Sequence, residues 1–389
     1  MASKQPVFAP ARFLVIAIAC VVLSFTIIIN IISVKPALSQ FLDFGSFIAA
    51  GKEAATGKNP YTIDSPLVYR VESENTDQTL PSPNLNPPLS VVLFAALSDM
   101  EPINAVSGWR VVTAFMFGMG IFILAKSYPK PRNPTRILWA LSLAGFWNTI
   151  ALGQIYAPIL ILAIGAWILA ERGSHKLAGL ALGAMIAIKP NFAFWLALLG
   201  IAGYTTIAVG AIVTALILSA LPILILGLQI YPQWLTALSN YPSIGLLIAG
   251  NSSLQSLSAR LGLAHPGTAI SLLFIAGSLC FAYRNKKSLS KINTLGIVGS
   301  LLVSPFSWAG YTMLTLPIFF SRSNWSWQYR LSAAIFSFPY VLILYFFHKS
   351  PFNFVLFGWI YGWGLLLILT GMSGVEADEL SGTFMGNQS

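Results

Sequence analysis

Long apolar blocks separated by short polar turns run through almost the whole chain. They cover 13–34, 104–125, 134–152, 155–171, 176–189, 191–203, 204–228, 267–283, 292–307, 309–321, 329–347 and 353–372. A helix needs about 20 apolar residues, each rising ~1.5 Å, to cross a bilayer core. The blocks are continuous rather than short and alternating, so the pattern predicts helical spans and not a barrel. The expected architecture is an all-α polytopic membrane protein with about 12 spans (roughly 10 to 13) in one multi-spanning domain, 1–389. A shorter block, 87–98, reaches only ~18 Å as a helix and is expected to be re-entrant or interfacial. The pairs 176–203 and 292–321 are read as broken helices.

Composition closes off the soluble alternatives. The chain is 56% hydrophobic and 9% charged, against about 25% charged residues in a soluble domain. The formal net charge is +10, but no basic stripe with interleaved aromatics marks a nucleic-acid surface. The positive charge falls in loops instead. With the N-terminus cytoplasmic, 14 of the 22 Lys and Arg lie inside, with the densest clusters at 126–136 and 284–291. This is the asymmetry that orients spans. The same parity puts loops 35–88 and 229–266 outside and the tail 373–389, with Glu376, Asp378 and Glu379, inside. The expected location is the cytoplasmic membrane, multi-pass, with both termini cytoplasmic. The first block follows Lys4 and Arg12 and is longer than the ~7–15 apolar residues of a signal peptide, so it reads as a retained span.

The acidic residues direct attention to the first outside loop. Six of the 12 Asp and Glu lie between Asp43 and Asp77, and none lies in the middle of a block. Ionisable groups at mid-membrane are the mark of pumps and ion pathways, so the pattern argues against those classes and places any chemistry at the outer face. Cys20 and Cys280 sit inside blocks and predict no disulfide. His175, His265 and His348 are scattered without metal-ligand spacing. No metal or cofactor is called for. With no phosphate-binding glycine loop, an enzyme of this kind would take an already activated, lipid-linked substrate.

Particular residues then form an ordered series. Asp43 follows the first span within Phe41-Leu42-Asp43-Phe44-Gly45-Ser46-Phe47, and apolar positions 41, 44, 47, 48 and 55 suit an interfacial helix. Gly57-Lys58-Asn59-Pro60-Tyr61 and Asn86-Pro87-Pro88 come next. Gly153-Gln154 lies at a turn between spans. Ala178-Gly179-Leu180-Ala181-Leu182-Gly183 leads into Ile188-Lys189-Pro190. Asn251-Ser252-Ser253-Leu254 precedes Arg260, and Ser304-Pro305-Phe306-Ser307-Trp308 lies near the end.

In order and placement this series, over about residues 10 to 325, resembles the family 87 glycosyltransferases of the GT-C superfamily. The resemblance implies a GT-C-type bundle that transfers a sugar, often mannose, from a polyprenyl-phosphate carrier to a glycolipid or glycan acceptor. It also implies inversion and an extracytoplasmic active site. Asp43 is then the candidate general base. Lys189 and Arg260 are candidates for holding the donor phosphate. Gln154, Tyr156, Asn251, Ser253, Trp308 and Tyr311 are candidates for binding substrate. The partners implied are the polyprenyl-phosphate sugar, the acceptor and the bilayer, with no nucleic acid. The sequence departs from the family pattern in three places. Ala309, Gly310 and Tyr311 stand where an acidic residue or histidine is usual, Asn86 replaces an aromatic, and Tyr156 replaces an Asn. They put the donor head group, or the way its phosphate is held, in question. The competing classes are a lipid-linked sugar flippase and a non-catalytic lipid-binding subunit.

Overall fold

The computed structural model describes residues 9–40, 42–62, 65–68, 70–72, 79–129, 134–241, 243–263, 266–286 and 288–374. Asp64, Glu74 and Asp77 of the first loop, His265, and the acidic residues of the tail lie outside them.

The described chain opens with α1 (Ala9–Val34), a 3-10 turn at Lys35–Ser39, and α2 (Leu42–Ala55), then α3 (Pro88–Ala95) and α4 (Pro102–Ser127). The middle holds α5 (Pro134–Ser142), α6 (Ala144–Leu152), α7 (Tyr156–Glu171), α8 (His175–Ile188), α9 (Ala193–Ile201) and α10 (Thr205–Leu226). The last part holds α11 (Ile230–Ser239), α12 (Leu254–Arg260), α13 (Pro266–Arg284), α14 (Leu289–Val303), α15 (Leu316–Phe320), α16 (Trp327–Phe336), α17 (Tyr340–Phe347), α18 (Pro351–Leu356) and α19 (Ile360–Thr370). One antiparallel pair of strands interrupts the helical pattern, β1 (Arg70–Glu72) on β2 (Thr79–Pro81), with Val71 opposite Leu80. Hydropathy gave no sign of it.

Among the described residues four helical segments are long and apolar enough to cross a membrane: the one containing α1, and α4, α10 and α13. Counting α16 and α17 as one span bent by 83° makes five. Six apolar helices of 10–17 residues lie among them. Several blocks that read as single spans are broken for identifiable reasons. The block 134–152 divides at Leu143, whose backbone leaves the helical region (φ −58, ψ 121). Pro339 follows the end of α16 inside 329–347, and Pro190 divides the pair 176–203 as expected, because proline clashes with a preceding helical residue. α3 is eight residues long, as its short block implied.

The long helices turn apolar side chains outward. Val21 on α1, Phe115 on α4, Leu216 and Leu224 on α10, and Leu273 on α13 are all exposed. Apolar faces of this extent are foreign to a water-soluble surface. The shorter helices α7 and α14 are buried on most sides. This is a multi-pass membrane protein with a lipid-facing rim and a packed interior.

Two close helix approaches seat the interior. A Cβ on Gly179 would lie 2.7 Å from the Ile207 carbonyl oxygen, and Gly183 meets Ala211 in the same way. The small-residue stripe of α8 therefore lets it lie directly on α10. α2 is buried at Leu42 and continuously from Phe44 to Gly51, and it packs closely against Phe94 of α3 at Gly51. The helix expected in the first loop does form. It is enclosed by protein on most sides rather than open along one face, because α3 folds back over it.

Candidate active site

The sequence motifs meet in pairs. Asn59 Oδ1 accepts from the Tyr61 backbone N–H at 2.9 Å, an Asx turn of the kind Asn-Pro favours. The Tyr61 hydroxyl then donates to the Asn86 carbonyl at 3.0 Å. The Gly57–Tyr61 turn is thereby tied to the double proline, and Pro88 opens α3 at a position where its missing N–H costs nothing.

A second pair brings Asp43 to Gln154. α6 ends at Gly153, which adopts a left-handed conformation (φ 69, ψ 36). Glycine is required there twice over, since a Cβ would also strike the Phe44 side chain at 2.6 Å. The turn presents Gln154, whose Nε2 donates to Asp43 Oδ2. Among the described residues the buried Gln154 amide oxygen has no hydrogen-bond partner. On the other side, Leu42 holds φ 41 in the left-handed region, a strained state for a leucine that persists only when packing over-determines it. Leu42 is buried, and the strain falls on the residue that aims Asp43.

Lys189 completes the group. Pro190 forces it out of α8 into an extended conformation (φ −141, ψ 92). Its ammonium lies 5.4 Å from the Tyr156 ring centroid and 5.6 Å from that of Tyr311. The two rings lie 4.3 Å apart. Cation–π attraction stabilises a cation placed in this way. Asp43 and Lys189 also feel one another's charge. Both keep some exposed surface, whereas Gln154, Tyr156 and Tyr311 are buried. The tyrosines thus hold the lysine and present little surface to a sugar. Tyr311 comes from the 3-10 turn Ala309–Thr315, where Gly310 leaves room for the Tyr156 ring.

Asn251, Ser253 and Arg260 belong to a different structure. Asn251 Nδ2 donates to the Pro305 carbonyl (3.0 Å) and the Gly245 carbonyl (3.3 Å). Its Oδ1 accepts from the backbone N–H groups of Ser253 and Ser307 (both 3.1 Å). Ser253 donates to Pro305 and caps α12 by accepting from Ser256 N–H. Arg260 donates to the carbonyls of Leu247, Ile248 and Phe354. These bonds knit the loop before α12 to the Pro305–Ser307 segment and to α18. The expectation that Asn251 and Ser253 bind substrate and that Arg260 binds phosphate meets side chains already engaged by backbone.

Trp308 stacks on Phe306 (centroids 5.9 Å) and keeps exposed surface. Phe306 in turn meets Tyr241 edge-on at 5.2 Å. Tyr241 lies within electrostatic range of Asp43. Tyr241 carried no local signal in the sequence, and Phe306 stood out only as part of the Ser304–Trp308 run. Among the described residues no cluster of His, Cys, Asp and Glu is arranged to hold a metal.

The profile of glycosyltransferase family 87 matches residues 84–305. No curated protein and no solved structure matches. The matched stretch contains Gly153-Gln154, Lys189-Pro190 and Asn251-Ser252-Ser253, and it is more than half of the chain. The chain belongs to glycosyltransferase family 87.

Proposed function

We propose that this membrane glycosyltransferase moves a sugar, with mannose expected, from a polyprenyl-phosphate carrier to a lipid or glycan acceptor at the outer face of the cytoplasmic membrane. The proposal includes a GT-C-type bundle of about 12 helical elements at membrane depth, several of them short or broken. Loops 35–88 and 229–266 lie outside, α2 sits near the interface, and both termini are cytoplasmic.

The observation that carries the reading is that Asp43 and Lys189, each keeping some exposed surface, lie within electrostatic range of one another. Asp43 is oriented by Gln154, and Lys189 is held over two tyrosine rings. A single displacement needs a base for the nucleophile and a countercharge for the leaving group. Asp43 takes the proton of the acceptor hydroxyl. The acceptor oxygen attacks the anomeric carbon from the face opposite the phosphate. The bond from that carbon to the phosphate oxygen breaks, and polyprenyl phosphate departs with the electron pair beside Lys189. One displacement inverts the anomeric configuration. The unpartnered Gln154 oxygen is placed to accept from a substrate hydroxyl, and Trp308 to lie against a sugar or prenyl face. Arg260, Asn251 and Ser253 act behind this site by holding its walls.

The test is transfer by the purified protein in lipid nanodiscs from a panel of labelled polyprenyl-phosphate sugars to a bacterial lipid extract. A labelled product of inverted configuration is expected, with the mannose donor the most active. Binding of the carriers without any product would instead favour a non-catalytic lipid-binding subunit. Movement of intact carrier between leaflets would favour a flippase.

A further inference from the structure

We infer that Arg110 is a positioning residue that sets the Asp43–Gln154 geometry by gripping the two backbone segments that deliver them. Arg110 lies on α4 and is buried. A buried cation in a membrane domain is costly unless its surroundings answer its charge. Here the described bonds all run to backbone carbonyls. Nε donates to Ile150 at 3.0 Å, Nη1 to Leu38 at 2.7 Å, and Nη2 to Ala37 (2.9 Å), Gln40 (3.1 Å) and Ala151 (3.2 Å).

The five carbonyls form two sets. Ile150 and Ala151 belong to the last turn of α6, immediately before Gly153-Gln154. Ala37 and Leu38 lie in the 3-10 turn Lys35–Ser39, and Gln40 follows it, immediately before Leu42-Asp43. The last turn of a helix leaves its carbonyls without partners and carries partial negative charge. One guanidinium therefore caps two helix ends at once, which only a planar group with several fixed donors can do. Its neighbour Trp109 extends the grip, since Trp109 Nε1 donates to the Gln154 carbonyl at 3.3 Å. The Trp109 ring also packs near Phe44. The strained backbone at Leu42 sits directly beyond the clamped carbonyls. The clamp supplies the restraint that such a conformation requires.

The catalytic part of this inference rests on the proposed reaction, but the clamp itself can be read without substrate. Hydrogen–deuterium exchange is compared for wild type, Arg110→Lys, Trp109→Phe and Arg136→Lys in nanodiscs. Arg136 is the comparison because it makes an analogous clamp elsewhere, on the carbonyls of Arg322 and Ser323. Lysine keeps the charge but cannot span both sets of carbonyls. Arg110→Lys is expected to speed exchange about tenfold or more in both 36–46 and 149–156. Trp109→Phe should loosen only the second segment, and Arg136→Lys neither. In the transfer assay Arg110→Lys should lower kcat about 10- to 100-fold, as small misplacements of reacting groups do, while donor KM changes little. Unchanged exchange, loosening confined to one segment, or normal kcat with both segments loosened would each overturn the inference. Failure of wild type to transfer from any donor would remove the proposed reaction, while the exchange result would still decide the clamp.

Discussion

Two polar regions of the molecule use polar side chains in opposite ways. Around Asn251, the side chains of Asn251, Ser253 and Arg260 bind backbone on both sides of a loop. Around Asp43, a carboxylate bonded by the Gln154 amide and an ammonium held over two rings come together, and among the described residues the amide oxygen of Gln154 has no partner. A buried polar group without a partner costs roughly 1–3 kcal/mol, and the hydroxyls of Ser252 and Ser307 in the first region carry the same cost, so the contrast lies in the charged groups. The first region is built to be stable. The second accepts a local cost, including the left-handed Leu42, in the way reactive sites do. Polar residues between apolar blocks are therefore poor guides to function until their partners are counted.

The sharpest way to break this contrast is to remove charge from the second region alone. Asp43→Asn keeps the shape and is expected to lower kcat by about 10²–10⁴-fold, the usual contribution of a general base. The thermal midpoint should hold, which a melting curve of the detergent-purified protein checks. Lys189→Met should raise donor KM about 10- to 100-fold, as loss of a phosphate countercharge does, with a smaller effect on acceptor KM. A change in melting alone would make Lys189 a snorkelling residue. Gln154→Leu removes both the bond to Asp43 and the free oxygen. It should cost kcat about tenfold, consistent with one hydrogen bond to a charged group.

The first region should respond in the other currency. Asn251→Ala deletes four hydrogen bonds and leaves two buried N–H groups unpaired. It is expected to destabilise the protein by about 2–4 kcal/mol, seen as a lower melting temperature, with donor KM held. A raised donor KM at unchanged melting would move Asn251 into the substrate site and erase the distinction between the regions.

Much of the helical pattern was legible in the sequence because apolar blocks are long-period signals. Asp43 and Lys189 were also legible, each as a charged residue at the edge of an apolar block. Gly153-Gln154 was legible as a turn, but not its contact with Asp43, which lies 111 positions away in the chain. The breaks at Leu143 and between α16 and α17, and the β1–β2 pair, were not legible. They depend on what the neighbouring helices leave room for, and a hydropathy window averages over that. Arg260, Asn251 and Ser253 read as ligand-binding by type and are engaged by backbone in the structure. Arg110 was passed over for the opposite reason. A lone arginine inside the apolar block 104–125 is the kind of residue a membrane domain rarely tolerates without purpose, and it was the available signal.

The most direct test of the account is to measure donor binding and turnover side by side in Asp43→Asn, using labelled polyprenyl-phosphate mannose and protein in nanodiscs. The account predicts a dissociation constant close to that of wild type, because Lys189 still answers the phosphate, together with loss of product. Turnover within about tenfold of wild type would contradict it, since a missing general base costs more than that.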